Sequence, residues 1–180
     1  MTSNDFLIEL LTEELPPLAL KKLSDAFASN IAAGLKKAAL TFNSLHAYAT
    51  PRRLAVLVAG LTNRQRDSEI ERRGPAVSLA FDADGQPTKA ALGFAGSCGI
   101  DIKDASTLKT DKGEWLFCKI KQVGDETVNL LPEIIAKALT QLPIPKLMRW
   151  GRGECTFARP VHNVLALYGE QIVPMSLFGL

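Results

Sequence analysis

The sequence holds little from which a self-contained catalytic site could be built. Two histidines and three cysteines are spread over 180 residues. Cys98, Cys118 and Cys155 are odd in number and show no CxxC or Cys/His ligand spacing, which argues against a structural zinc site. Such scattered thiols are expected to stay reduced, as in a cytosolic protein. His46 and His162 stand beside no obvious nucleophile. The chain also has no GxxxxGKS/T or GxGxxG phosphate loop, no GxSxG elbow and no HExxH pair. No apolar run approaches the ~20 residues of a membrane helix. The start, "MTSNDFLIELLTEELPP", carries acids where a secretory signal would be basic. A soluble, cytoplasmic chain without membrane contact is the expectation. Charge of one sign is scarce as well: the net +2 is too small to identify a nucleic-acid binder, so clustering is more informative than the sum. Apolar residues are not scarce. At 47% hydrophobic and 22% charged, the composition suits a globular chain with a sizeable core.

Periodicity supplies the elements. "DFLIELL" (5–11) is a short apolar run before a turn and reads as a buried strand. In "TEELPP", acids and prolines suit a helix start. Leu20, Leu23, Phe27, Ile31 and Leu35 then recur at steps of three and four, predicting an amphipathic helix over 17–40. "LHAYATPRRLAVLVAGL" (45–61) holds two strands broken at Pro51. The charged run 64–76 ends in a Gly-Pro turn, and 77–87 reads as a strand followed by a turn at Asp84–Gly85. Thr88 and Gly99 bracket a short helix. Residues 106–124 read as a hairpin turning at Asp111, Lys112 and Gly113, with Trp115 and Phe117 opposite Leu116, Cys118 and Ile120. Val128, Leu131, Ile135, Ala138 and Leu142 mark a second amphipathic helix, with Pro132 delaying its start or kinking it. After an irregular "PIPKLMRWGRG", two strands flank a turn at Tyr168, Gly169 and Glu170. The pattern is α+β: a mixed or antiparallel sheet with hairpins packed against two main helices, read as one unit over 1–180. The apolar ending "IVPMSLFGL" suits a buried last strand or a chain cut inside a longer protein.

The densest basic-aromatic stretch is "MRWGRGECTFARPVHN" (148–163). Arg149, Arg152, Arg159 and His162 surround Trp150 and Phe157, with only Glu154 opposing them. Guanidiniums contact phosphate oxygens and aromatic faces stack on unpaired bases, so RNA or anion contact is one reading. A solvated loop with internal ion pairs is the other. Arg52 and Arg53 follow Pro51 at the start of a strand, where neighbouring side chains face opposite ways. An arginine fork suits carboxylate and phosphate alike, so both readings stand there too. Arg72 and Arg73 lie in a mixed-charge run that reads as a solvated face. Trp115 and Phe117 read as core, and Glu13 and Glu14 as acids favoured by a helix dipole. No catalytic and no metal-ligating residue emerges.

Six fragments in order, "IELLTEELPP", "TPRRLAV", "ERRGPA", "GQPTKAALGFAGSCGI", "TDKGEWL" and "LPIPKLMRWG...F.RPVHNV.ALYG", resemble the N-terminal part of the beta subunit of bacterial tetrameric glycyl-tRNA synthetase. That resemblance implies an α2β2 assembly joining glycine to tRNA-Gly with ATP and Mg²⁺. The alpha subunit would hold the class II catalytic core and take the ATP and Mg²⁺, with no cofactor bound by this stretch. The beta chain would supply tRNA recognition and assembly. Its partners would be the alpha subunit, tRNA-Gly and the remainder of the beta chain. The sequence departs from the family pattern at Leu11, where glycine is usual, at Gly96, where an arginine is usual, and at Asn163, where an aromatic is frequent. No catalytic residue carries over to a position here. Arg52, Arg53, Arg149, Arg152, Arg159 and His162 are the candidate RNA or interface contacts, with a purely structural scaffold of internal ion pairs as the alternative.

Overall fold

A computed structural model describes residues 2–82, 85–110 and 113–180. The elements run β1 (Ser3–Thr12), α1 (Pro17–Lys37), β2 (Ser44–Thr50), β3 (Arg53–Thr62), β4 (Ser68–Ala76), α2 (Val77–Ala80), α3 (Lys89–Cys98), β5 (Ser106–Thr110), β6 (Gly113–Gln122), α4 (Thr127–Thr140), β7 (Met148–Arg149), β8 (Thr156–Phe157), β9 (Val161–Tyr168) and β10 (Gln171–Ile172). The fold is α+β, and every strand pairing among the described residues is antiparallel. Where periodicity suggests one unit over 1–180, the chain divides into two compact ones: Met1–Arg66 with Gly124–Leu180, and Asp67–Val123.

The first unit is built on a five-stranded sheet ordered β10-β9-β1-β3-β2. Strand period two puts Phe6, Ile8 and Leu10 on one face of β1, and all three are fully buried. Register sets Val58, Val56 and Leu54 of β3 and Tyr168, Ala166 and Val164 of β9 beside them, so one apolar face crosses the sheet. Leu23, Phe27, Ile31 and Leu35 of α1 and Leu131, Ile135, Ala138 and Leu139 of α4 join the same core. Each large side chain buried there contributes about 1.5–3 kcal/mol. That exceeds the ~0–1 kcal/mol of an exposed ion pair, so the core, not the surface charge, holds this unit together. Gly34 lets the helices approach: a Cβ there would meet Ile134 Cγ2 at 2.6 Å. Helix α1 ends at Lys37, short of the expected residue 40, because Ala39 turns to a positive φ of 53°. Helix α4 starts at Thr127 and not after Pro132, which lies within it. The start is pinned: Thr127 donates its N–H to Asn63 O at 2.9 Å and its hydroxyl to Thr62 O at 2.6 Å.

The second unit is a three-stranded sheet ordered β4-β6-β5 with α2 and α3 against it. The charged run continues as strand β4 through Gly74 and Pro75, where the expected turn becomes a register shift between Arg73 and Ala76. An edge strand tolerates that proline because a missing outward donor costs no ladder bond. Residues 77–80, expected as a strand, form a helical turn, and Phe81 then bridges Pro87. Asp84 of the expected turn lies outside the described residues, as do Asp111 and Lys112 of the hairpin turn. Helix α3 starts after Thr88 and stops at left-handed Gly99 (φ 67°) as expected, but the Thr88 hydroxyl donates to Leu79 O at 2.9 Å instead of capping the helix. The faces of β6 are also reversed: Leu116 and Cys118 are buried, whereas Trp115 and Phe117 are half-buried.

Candidate nucleic-acid interface

The end of β1, the β2–β3 turn and the start of β9 meet at one end of the five-stranded sheet. Backbone bonds fix the meeting: Thr12 N–H to Arg52 O at 2.9 Å, Glu13 N–H to Pro160 O at 2.9 Å, and Leu15 N–H to Pro51 O at 2.7 Å. Glu13 lies before α1, whose first turn contains no acid, so the helix-dipole reading of this residue gives way to a different role. Its carboxylate takes the Arg52 guanidinium on Oε2 and His162 Nε2 on Oε1, the latter at 2.8 Å. The hydrogen bond from His162, and then that from Arg52, hold the Glu13 carboxyl below the usual glutamate range. Arg53, one residue on, points to the open face of the sheet, where its Nε pairs with Glu9 Oε1 at 2.6 Å. Alternation thus sends the two arginines to different carboxylates.

Arg159 is half-buried. Its Nη1 donates to Ala158 O at 2.9 Å and reaches Met148 Sδ at 3.2 Å. Together with Glu13, Glu14 and Arg52 it lines a cleft of about 420 Å³.

Arg149 and Arg152 are placed differently. Met148 pairs with Phe157 and Arg149 with Thr156, making a hairpin of the short strands β7 and β8. Phe157 anchors it at 2% exposure, its ring 5.2 Å from that of Phe178. Half-buried Trp150 also leans on Phe178, at 6.1 Å. The aromatics that suggest base stacking in the sequence therefore face the core. Arg149 and Arg152 are exposed and, among the described residues, make no side-chain hydrogen bond or ion pair. Exposed Lys146 lies just before them, and exposed Glu154 is the one acid in the loop. A pair of unneutralised guanidiniums on an anchored turn is able to take phosphate oxygens directly. Arg52 and Arg53 would first have to release a carboxylate.

The single basic cluster of the sequence thus divides by pairing: His162 is held by Glu13, while Arg149 and Arg152 have no carboxylate among the described residues. Sequence reasoning misses Glu13 and Glu9 as partners, and no local spacing signals them: Glu13 lies 39 residues from Arg52 and 149 from His162. Elsewhere, Arg73 covers the Trp115 ring at 3.7 Å, and Arg72 Nη1 reaches Ser97 O at 3.4 Å, so these two arginines of the 64–76 run are exposed but not idle. Leu11 is ordinary strand, paired with Arg53 and Asn163, and needs no glycine. A Cβ at Gly96 would meet nothing within 4 Å, so a side chain would fit there. Among the described residues, no group of three or more His, Cys, Asp or Glu could hold a metal ion, and no helix is long and apolar enough to cross a membrane.

A family model described as glycyl-tRNA synthetase beta subunit matches residues 6–180. The glycine–tRNA ligase beta subunit of Haemophilus influenzae is 52% identical over 180 residues, covering 100% of this chain and 26% of the relative. That of Pseudoalteromonas translucida is 51% identical over 179 residues, covering 99% and 26%. One from Klebsiella pneumoniae is 49% identical over 180 residues, covering 100% and 26%. The chain spans about a quarter of the length of these curated relatives.

Proposed function

The chain belongs to the glycyl-tRNA synthetase beta-subunit family, and on that premise we propose that its first unit contacts tRNA-Gly through the hairpin 148–157. In this reading Arg149 and Arg152 engage backbone phosphates. The Glu13 cluster is a structural latch that keeps the sheet end and the start of β9 in register. Aminoacylation with glycine, ATP and Mg²⁺ would belong to an alpha subunit with which the beta chains assemble as a cytoplasmic heterotetramer. The observation that carries the proposal is the contrast in pairing among the described residues: Arg149 and Arg152 are exposed and unpaired, while Arg52, Arg53 and His162 are each held by a carboxylate.

Titration of labelled tRNA-Gly by the chain, repeated across salt concentrations, tests it. Removing one phosphate-neutralising arginine should reduce the salt slope by about 0.7–0.9. Arg149→Glu with Arg152→Glu should weaken binding and flatten the slope by about 1–2 in total, whereas Arg52→Ala with Arg53→Ala should leave the slope in place. An unchanged slope in the first double variant would sink the assignment.

A second reading is a scaffold without RNA contact. The three ion pairs of Glu13 and Glu9 favour it for that end of the sheet. It predicts that substitutions there lower the melting midpoint, or co-purification with an alpha subunit, before any change in RNA affinity.

A further inference from the structure

The second unit joins two cysteines that the sequence separates. Cys98 ends α3, one residue before the left-handed Gly99 cap, and Cys118 lies within β6, the central strand of the three-stranded sheet. Both are buried, at 5% and 3% exposure. Their Sγ atoms stand 2.7 Å apart. That is closer than unbonded thiols ordinarily sit, and within about 0.7 Å of the ~2.05 Å bonded length. We propose that Cys98 and Cys118 form a redox modification site, a dithiol that a hydroperoxide converts into a disulfide stapling α3 to β6.

Only about 0.7 Å has to close between the two sulfurs for the bond to form. Burial pushes the Cys118 thiol up to about 11, which slows its own attack on an oxidant and suits it to act second. Arg72 opposes this in part. It is the cross-strand partner of Cys118, its charge favours a thiolate there, and its guanidinium reaches the Ser97 carbonyl beside Cys98. Access comes from the helix end: Cys98 sits in the last turn of α3, where local opening is easiest and leaves the sheet ladder intact. The third cysteine, Cys155, belongs to the other unit.

The chemistry balances between the two thiols and the peroxide alone. The Cys98 thiolate attacks one peroxide oxygen, the O–O bond breaks, and the departing oxygen leaves as water after taking a proton, with a sulfenic acid on Cys98. The Cys118 sulfur then attacks the Cys98 sulfur. The S–S bond forms, the S–O bond breaks, and hydroxide departs as a second water with the Cys118 proton. Two thiols are oxidised and one hydrogen peroxide is reduced to two waters.

The test is oxidation of the 180-residue chain with hydrogen peroxide, blocking of free thiols, intact mass and peptide mapping. The parent and Cys155→Ser should each lose two hydrogens and yield a Cys98–Cys118 linked peptide that dithiothreitol releases. Cys98→Ser and Cys118→Ser should yield none. The proposal is overturned if both thiols stay free at a peroxide dose that oxidises Cys155, if they accumulate sulfinic acid unlinked, or if either links to Cys155 instead. The parent's own peptide map decides the matter even where a serine variant fails to fold.

Discussion

Arg52 and Arg149 invite comparison. Both are exposed arginines in the same unit, each close to a turn, and each belongs to a stretch that looks basic in the sequence. Arg52 ends against Glu13, brought to it by strand pairing, while Arg149 ends in solvent on a hairpin whose aromatics have turned inward. The difference teaches that a basic cluster in sequence is a statement about neighbours along the chain. Whether its charge is available to a phosphate depends on which carboxylates the register delivers. Arginine that already has a carboxylate is part of the fold, and arginine without one is free to bind.

The strongest way to break the comparison is to remove what holds the hairpin of Arg149 in place. Phe157→Ala empties a fully enclosed aromatic site next to Phe178 and should cost about 3–5 kcal/mol in urea denaturation. Because Phe157 anchors the hairpin, RNA affinity should fall with stability. A variant that binds normally while strongly destabilised would show that the hairpin's position is irrelevant to binding. Next in size, Arg149→Glu with Arg152→Glu should weaken tRNA-Gly binding roughly tenfold, about 1.4 kcal/mol, in an anisotropy titration at fixed salt. The melting midpoint should hardly move, since neither side chain has a partner to lose among the described residues.

Much of this architecture is legible in the sequence, and what is not has a physical reason. Helix α1, the 44–62 hairpin and the Thr88–Gly99 helix rest on local periodicity, proline and glycine, and these survive folding. The turn of helix at Val77–Ala80 reads as a strand in the sequence because four residues are too short for either period to show. On β6 the alternation is visible, but not which face is buried. Alternation is symmetric between faces until α2 and α3 cover the Leu116 side. The candidate site is half legible: the sequence points to the arginines, yet not to their division, because Glu13 meets His162 across 149 residues of chain. The same holds for Cys98 and Cys118, which have no motif spacing and still touch.

The latch can be sharpened by pH. Glu13 is held below the usual glutamate range by His162 and Arg52, so the unfolded chain binds its proton first as pH falls. The stabilisation is therefore complete above the ordinary glutamate value of about 4.3 and disappears as pH drops through the lower folded value. Glu13→Gln keeps the shape and removes the charge. It should melt below the parent at neutral pH, with the gap closing under acid. A gap that persists unchanged at the lowest pH where the parent is folded would mean that the carboxylate's charge is not what the latch uses.

The smallest expected effect belongs to Arg53. Its pair with Glu9 is partly exposed, at 52% and 23% for the two side chains, and exposed pairs are worth about 0.2–1 kcal/mol after side-chain ordering and salt screening. Arg53→Ala should therefore shift a urea midpoint slightly at low salt and not at all near 1 M, where the screening length falls to about 3 Å. The size of this change separates two accounts of the sheet end. If the pair acts alone, Arg53→Ala and Glu13→Gln add within about 0.5 kcal/mol in the double variant. If Arg52 and Arg53 instead serve as one charge network spanning β1, the β2–β3 turn and β9, the double variant loses less than the sum. Additivity would confine the latch to Glu13, Arg52 and His162, and leave Arg53 as a local pin between two strands already held by their ladder.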